Sequence, residues 1–109
     1  MSLGWIEHKG RKILYSDFRG LRDKEMFAQH QDALDAVRKA AAPPLLLVNL
    51  TGAPASKRFM EELDASVRRQ AIVGVDGLKS LLLKAYNAVL GGDLQSFPTE
   101  EEAKEYLVS

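Results

Sequence analysis

The alternation of apolar and polar positions changes period several times along the chain, and each change predicts an element. Trp5 to His8 and Lys12 to Phe18 flank Lys9-Gly10-Arg11, and a glycine in so short a connection supplies the positive φ of a tight hairpin. From Asp23 the period becomes helical: Phe27, His30, Leu34, Val37 and Ala41 recur on one stripe, with Gln29, Asp32, Asp35 and Arg38 between them. Pro43-Pro44 ends that helix, because the residue before a proline avoids the helical region and the ring clashes with the preceding turn. Leu45 to Leu50 is apolar at nearly every position, which predicts a central strand with helices above and below.

Thr51-Gly52-Ala53-Pro54-Ala55 is the turn out of that strand, and Ser56 is placed to cap a second helix with Phe59, Met60, Leu63 and Val67 on its apolar stripe. Ala71 to Val75 predicts another buried strand. Asp76-Gly77 opens a third helix bearing Leu78, Leu81, Leu82, Ala85 and Val89, closed by Gly91-Gly92. A short strand ending at Phe97 precedes Thr99-Glu100-Glu101-Glu102, a capping box that introduces a last helix. Helices alternating with strands after a hairpin require a mostly parallel sheet with right-handed crossovers, and about four helices. One α/β domain covering residues 1–109 follows.

Composition narrows the chemistry. The 109 residues hold 15 Lys plus Arg against 15 Asp plus Glu, so the chain lacks the one-signed excess on which general nucleic-acid or anionic-membrane binding rests. With no Cys there is no thiolate nucleophile, thiolate metal site or disulfide. The longest apolar run, Ala40 to Val48, is too short to span a bilayer, and the charged opening residues do not form a signal peptide, so a cytoplasmic protein is expected. The acidic ending of the chain is largely Glu100, Glu101 and Glu102, where the charge complements a helix N-terminus.

Ligand surfaces of such sheets lie at the carboxyl ends of the strands. There, Asn49, Thr51, Gly52 and Ser56 form a candidate partner, anion or phosphorylation loop, joined by Asp76 and Gly77 at the next strand end; capping alone also accounts for Ser56 and Asp76. The stretch Gly74 to Ser80 lacks the glycine spacing and the lysine position of a phosphate-binding loop. His30, within an apolar stripe, is a candidate buried polar site. Asp17, beside Arg19 and Arg22, is either a site carboxylate or a local ion-pair partner. His8 has no partner at metal or triad spacing, so no catalytic constellation, metal site or cofactor is expected.

Ile13 to Leu21, Leu45 to Gly52, Ala71 to Leu83 and Phe97 to Leu107 together resemble the small bacterial proteins similar to sporulation anti-sigma-factor antagonists, grouped with STAS domains and related in fold to CRAL-TRIO lipid-transfer domains. The resemblance implies a STAS-like α/β domain that acts by binding. In that family a Ser in an Asp-Ser turn after the central strand is phosphorylated; here Asn49 stands where an acid is common, and only Thr51 and Ser56 offer hydroxyls. The function expected is a non-enzymatic regulatory or protein-interaction module. The alternative is a carrier of a small apolar, lipid-like ligand. A homodimer is compatible with both, Trp5 or Tyr106 being the aromatic residues suited to anchor a symmetric contact.

Overall fold

In a computed structural model that describes residues 2–53, 67–75, 84–85, 87–88 and 95–109, five strands form one sheet in chain order. They are β1 (Ser2–His8), β2 (Arg11–Asp17), β3 (Leu45–Asn49), β4 (Arg69–Val73) and β5 (Gln95–Phe97). β1 pairs antiparallel with β2, and every later pairing is parallel. The hairpin is tight because Lys9 and Gly10 both take positive φ, 52° and 78°, the pair of values that a type I′ turn requires between His8 and Arg11.

Two helices are bounded within the described residues, α1 (Asp23–Lys39) and α2 (Glu100–Val108), and Lys84, Ala85, Asn87 and Ala88 are helical as well. This corrects the STAS-like architecture with about four helices; the spans assigned to the other two, from Ser56 and from Asp76, begin outside the described residues. No described helix is long and apolar enough to cross a membrane.

The two helices cover opposite faces of the sheet. Alternate residues of a strand point to opposite sides, and so Leu14, Leu46, Val48 and Ile72 meet Met26, Ala33, Leu34 and Val37 of α1, while Ile13, Leu45, Leu47, Ala71 and Val73 meet Ala103 and Leu107 of α2. β3 is buried at all five positions, as its unbroken apolar run predicts.

The buried stripe of α1 is rotated from the expected one. Phe27 is 48% exposed and Ala41 lies outside the helix and exposed, whereas Met26, Gln29, His30, Ala33, Leu34 and Val37 are buried. Gln29 is the reason: its amide Nε2 donates to Ser16 Oγ at 3.1 Å and to the Asp17 carbonyl at 2.9 Å, so a residue that periodicity assigns to solvent ties α1 to β2.

α2 starts as its sequence requires, with the Glu102 N–H donating to Thr99 Oγ1 at 3.2 Å. Its last turn contains no base. Arg69 of β4 supplies one from outside, donating from Nη1 to the carbonyls of Tyr106 (3.0 Å) and Ser109 (2.8 Å) and lying over the Tyr106 ring at 5.5 Å. Glu105 anchors the hairpin turn to the same helix, accepting from His8 Nε2 at 3.0 Å and from Lys9 Nζ.

Replacing Gln29 by Leu strands the Ser16 hydroxyl and the Asp17 carbonyl in the core. Chemical denaturation is expected to show a loss of about 1–3 kcal/mol, and an unchanged midpoint would refute the role given to this amide. Lys9 and His8 hold the Glu105 carboxyl below the usual range. The stability it contributes is therefore present above its unfolded-state pKa and lost as pH falls through the lower folded-state value. Glu105→Gln is expected to lower the melting temperature at pH 7 and to have no effect once the pH is below that value.

Candidate functional site

Strands β2 and β3 end in matching turns. Asp17-Phe18-Arg19-Gly20-Leu21 and Asn49-Leu50-Thr51-Gly52-Ala53 share one order: an Asp or Asn, an apolar residue, an exposed residue, a glycine, an apolar residue. In each the first side chain turns back on the backbone two residues on. The Arg19 N–H donates to Asp17 Oδ1 and the Thr51 N–H to Asn49 Oδ1, both at 3.0 Å. In each a β-turn closes four residues, from the Leu21 N–H to the Phe18 carbonyl at 3.1 Å and from the Ala53 N–H to the Leu50 carbonyl at 2.9 Å. The third residue of each turn must take positive φ, and Gly20 (75°) and Gly52 (71°) do so.

Because Asp17 and Asn49 face each other in the sheet register, the two turns stand side by side, about 4.8 Å apart. The apolar residues Phe18, Leu50 and Ala53 anchor them in the α1-side core, which leaves Arg19 and Thr51 facing solvent. The ladder continues beneath them: Phe18 N–H to Asn49 O at 2.9 Å, and Leu50 N–H to Val73 O at 2.8 Å.

The Thr51 turn rests on β4. Gly74 follows that strand at φ 87°, and a Cβ placed on it would overlap the backbone N and Cα and the Oγ1 of Thr51. Only glycine fits both the conformation and the approach.

On the α2 side, the side chains of the two turns meet the helix N-terminus. Asn49, 3% exposed, uses its carbonyl on Thr51 and donates its amide to the Tyr15 hydroxyl, which in turn donates to the Glu100 carboxylate. Burial, that bond and the nearby negative charges push the Tyr15 phenol up to about 12. Asp17 moves the other way. Arg19 grips it through Nε (3.0 and 3.1 Å) and Nη2 (2.7 Å), holding its carboxyl below the ordinary range.

The candidate residues thus separate. Asn49, Thr51 and Gly52 stand together on this rim, joined by Asp17 as one half of a local ion pair. Ser56, Asp76 and Gly77 lie outside the described residues. His30 is fully buried in α1, on the core side and not on the rim. Periodicity and spacing did not single out Tyr15, Glu100 or Gly74, although the repeated Asp/Asn-x-x-Gly pattern was a readable signal for the paired turns.

An open groove of about 610 Å³ lies at the start of α1, lined among the described residues by Arg22, Asp23, Lys24 and Glu25. Among the described residues no group of three or more acidic or histidine side chains is placed to hold a metal ion. No known family model, curated protein or solved structure matches the chain.

Two measurements test this geometry. Gly74→Ala forces both a positive φ on alanine and an overlap with the Thr51 backbone, so a loss of more than about 2 kcal/mol is expected in urea denaturation; a wild-type midpoint would exclude the close approach. For Tyr15, the neutral phenol is the form the fold favours, so its contribution holds below about pH 10 and disappears as the pH rises through about 12. Ultraviolet titration should show one of the three tyrosines ionising late, and Tyr15→Phe should remove that component. A normal titration of Tyr15 would contradict its bonding to Glu100.

Proposed function

We propose that the chain is a non-enzymatic regulatory module that binds a protein partner in the cytoplasm through the rim formed by the Asp17–Leu21 and Asn49–Ala53 turns. The observation that carries this reading is the state of the rim's ionisable groups. A general acid or base works best with a pKa near the operating pH, yet Asp17 is displaced downward and Tyr15 upward. Asp17 is drawn away from neutrality by Arg19, and Tyr15 first by burial and then by its bond to Glu100. What remains is a fixed relief of backbone turns that presents Arg19, Thr51 and Gly52 to solvent, suited to recognition by shape.

The resemblance to anti-sigma-factor antagonists supports the same reading and directs attention to Thr51, the rim's exposed hydroxyl. Phosphorylation there would add nearly two negative charges beside the Asp17–Leu21 turn and alter the surface a partner meets. The carrier alternative draws less support, since the described lining of the groove at α1 is charged and not apolar.

The test is affinity capture from the native host with the full chain as bait, followed by measured binding of whatever protein is retained. Thr51→Arg changes the exposed centre of the rim without touching the core and is expected to weaken binding at least about tenfold. Lys39→Ala, at the far end of α1, should leave it unchanged. Equal binding by wild type and Thr51→Arg would place the interface elsewhere and overturn the proposal.

A further inference from the structure

The sheet has two unequal edges. β5 is three residues long, whereas β1 is seven and, among the described residues, pairs only with β2. Short strands, charged side chains, prolines and bulges are the usual protection of an edge; between Ser2 and His8, β1 has neither lysine nor proline, and its one carboxylate, Glu7, lies toward the turn end. The strand carries Trp5, 48% exposed. Tyr106, the other aromatic suited to a symmetric contact, is engaged within the chain by Arg69 and by Phe97, whose ring centroid is 5.2 Å away.

The turn determines which backbone groups face outward. In a two-residue hairpin the closing pair, His8 with Arg11, exchanges both hydrogen bonds, and such pairs alternate along an antiparallel ladder. With the observed register, Ile6 with Ile13 and Gly4 with Tyr15 are therefore also hydrogen-bonded pairs. The N–H and C=O groups of Leu3, Trp5 and Glu7 consequently point away from β2.

From these positions we infer that β1 is the interface of a symmetric homodimer, in which the two hairpins join antiparallel about a two-fold axis at Trp5 and make one continuous sheet. This surface is independent of the rim proposed for partner binding. Three pairs, Trp5 with the second copy's Trp5 and Leu3 with its Glu7 twice over, supply about six backbone hydrogen bonds.

Side-chain rows select this register. Reading across from β2 through β1 into the second copy, one row runs Leu14, Trp5, Trp5, Leu14 and the next Ile13, Ile6, Gly4, Tyr15, so the centre is apolar throughout and the Gly4 gap lies between large side chains. In the outer rows Glu7 sits against Leu3 while already paired with Lys12, and the bases His8 and Arg11 approach Asp17 of the second copy across the Ser2 position. No like charges are opposed. Sliding two residues toward the turn sets Glu7 against Trp5, and sliding two the other way runs the Ile13-Ile6 row into Asp17. In the chosen register the only carboxylate facing an apolar residue is Glu7, opposite Leu3 at the outer end of the strand; the first alternative carries it inward to Trp5 and the second sets Asp17 in the Ile13-Ile6 row, each a more costly desolvation.

The chain has one tryptophan and no cysteine, which makes the test direct. Sedimentation of the full chain at roughly 100 μM should give twice the monomer mass, with Trp5 emission shifting to the red on dilution. Leu3→Cys protein mixed with Glu7→Cys protein should form a heterodisulfide under mild oxidation, the Cα separation of such a pair, about 5.5 Å, being within disulfide range. Neither variant alone should cross-link at that rate. Glu7→Pro removes an outward N–H without breaking a bond to β2 and should give a monomer with an unchanged circular-dichroism spectrum, and Trp5→Lys, which opposes two charges at the axis, should also be monomeric. A monomer at every concentration, a dimer that survives both substitutions, or a cross-link by Leu3→Cys alone as fast as in the mixture would each overturn the inference.

Discussion

The Thr51 backbone lies against Gly74 so closely that no side chain fits between them, and the arrangement of the strand ends follows from that approach. With the turn after β3 seated on the end of β4, Leu50 extends the ladder to Val73 and Ala53 closes the turn into the core. Asn49 is then held where its side chain can serve both the Thr51 N–H and the Tyr15 hydroxyl. Tyr15 passes the constraint to Glu100, and so to the start of α2. A single backbone contact thereby connects a surface turn to the helix on the far face of the sheet.

The matching turn after β2 shows how the same local chemistry gives two different results. Asp17 and Asn49 make the same bond to the backbone, but a carboxylate attracts a cation and an amide does not. Arg19 folds back onto Asp17 in a bidentate pair, while Thr51 keeps its side chain exposed. Arg19 is half-open to water although Asp17 is mostly covered, so their pairing fixes geometry more than it adds stability. The rim therefore carries a closed ion pair on one turn and, on the other, an exposed threonine whose backbone is held against Gly74.

Much of the fold was legible in the chain. The hairpin, the apolar run of β3, the proline stop after α1 and the Thr99 cap are each set by a few adjacent residues, and each occurs within a few residues of its expected place. Gln29 was not legible, because its burial depends on acceptors in β2 that local periodicity cannot register. His30 was correctly placed in a buried stripe, yet the centre of that stripe moved toward Met26 and Ala33 once Gln29 turned inward. On the rim, Asn49, Thr51 and Gly52 were found from the strand-end rule. Tyr15 and Glu100 were not, since a phenol and a carboxylate 85 positions apart meet only after β2 and α2 have packed on one face.

The account stands on the two strand-end turns being fixed by their own side chains and by the strand beneath. Hydrogen exchange of the Arg19 and Thr51 amides measures this most directly, because both residues are solvent-exposed while their N–H groups are bonded to Asp17 and Asn49. Exchange much slower than that of an unstructured chain is the predicted result at both positions. Exchange at the unstructured rate at Thr51 would contradict a preformed rim, and with it the reading of this surface as a recognition site.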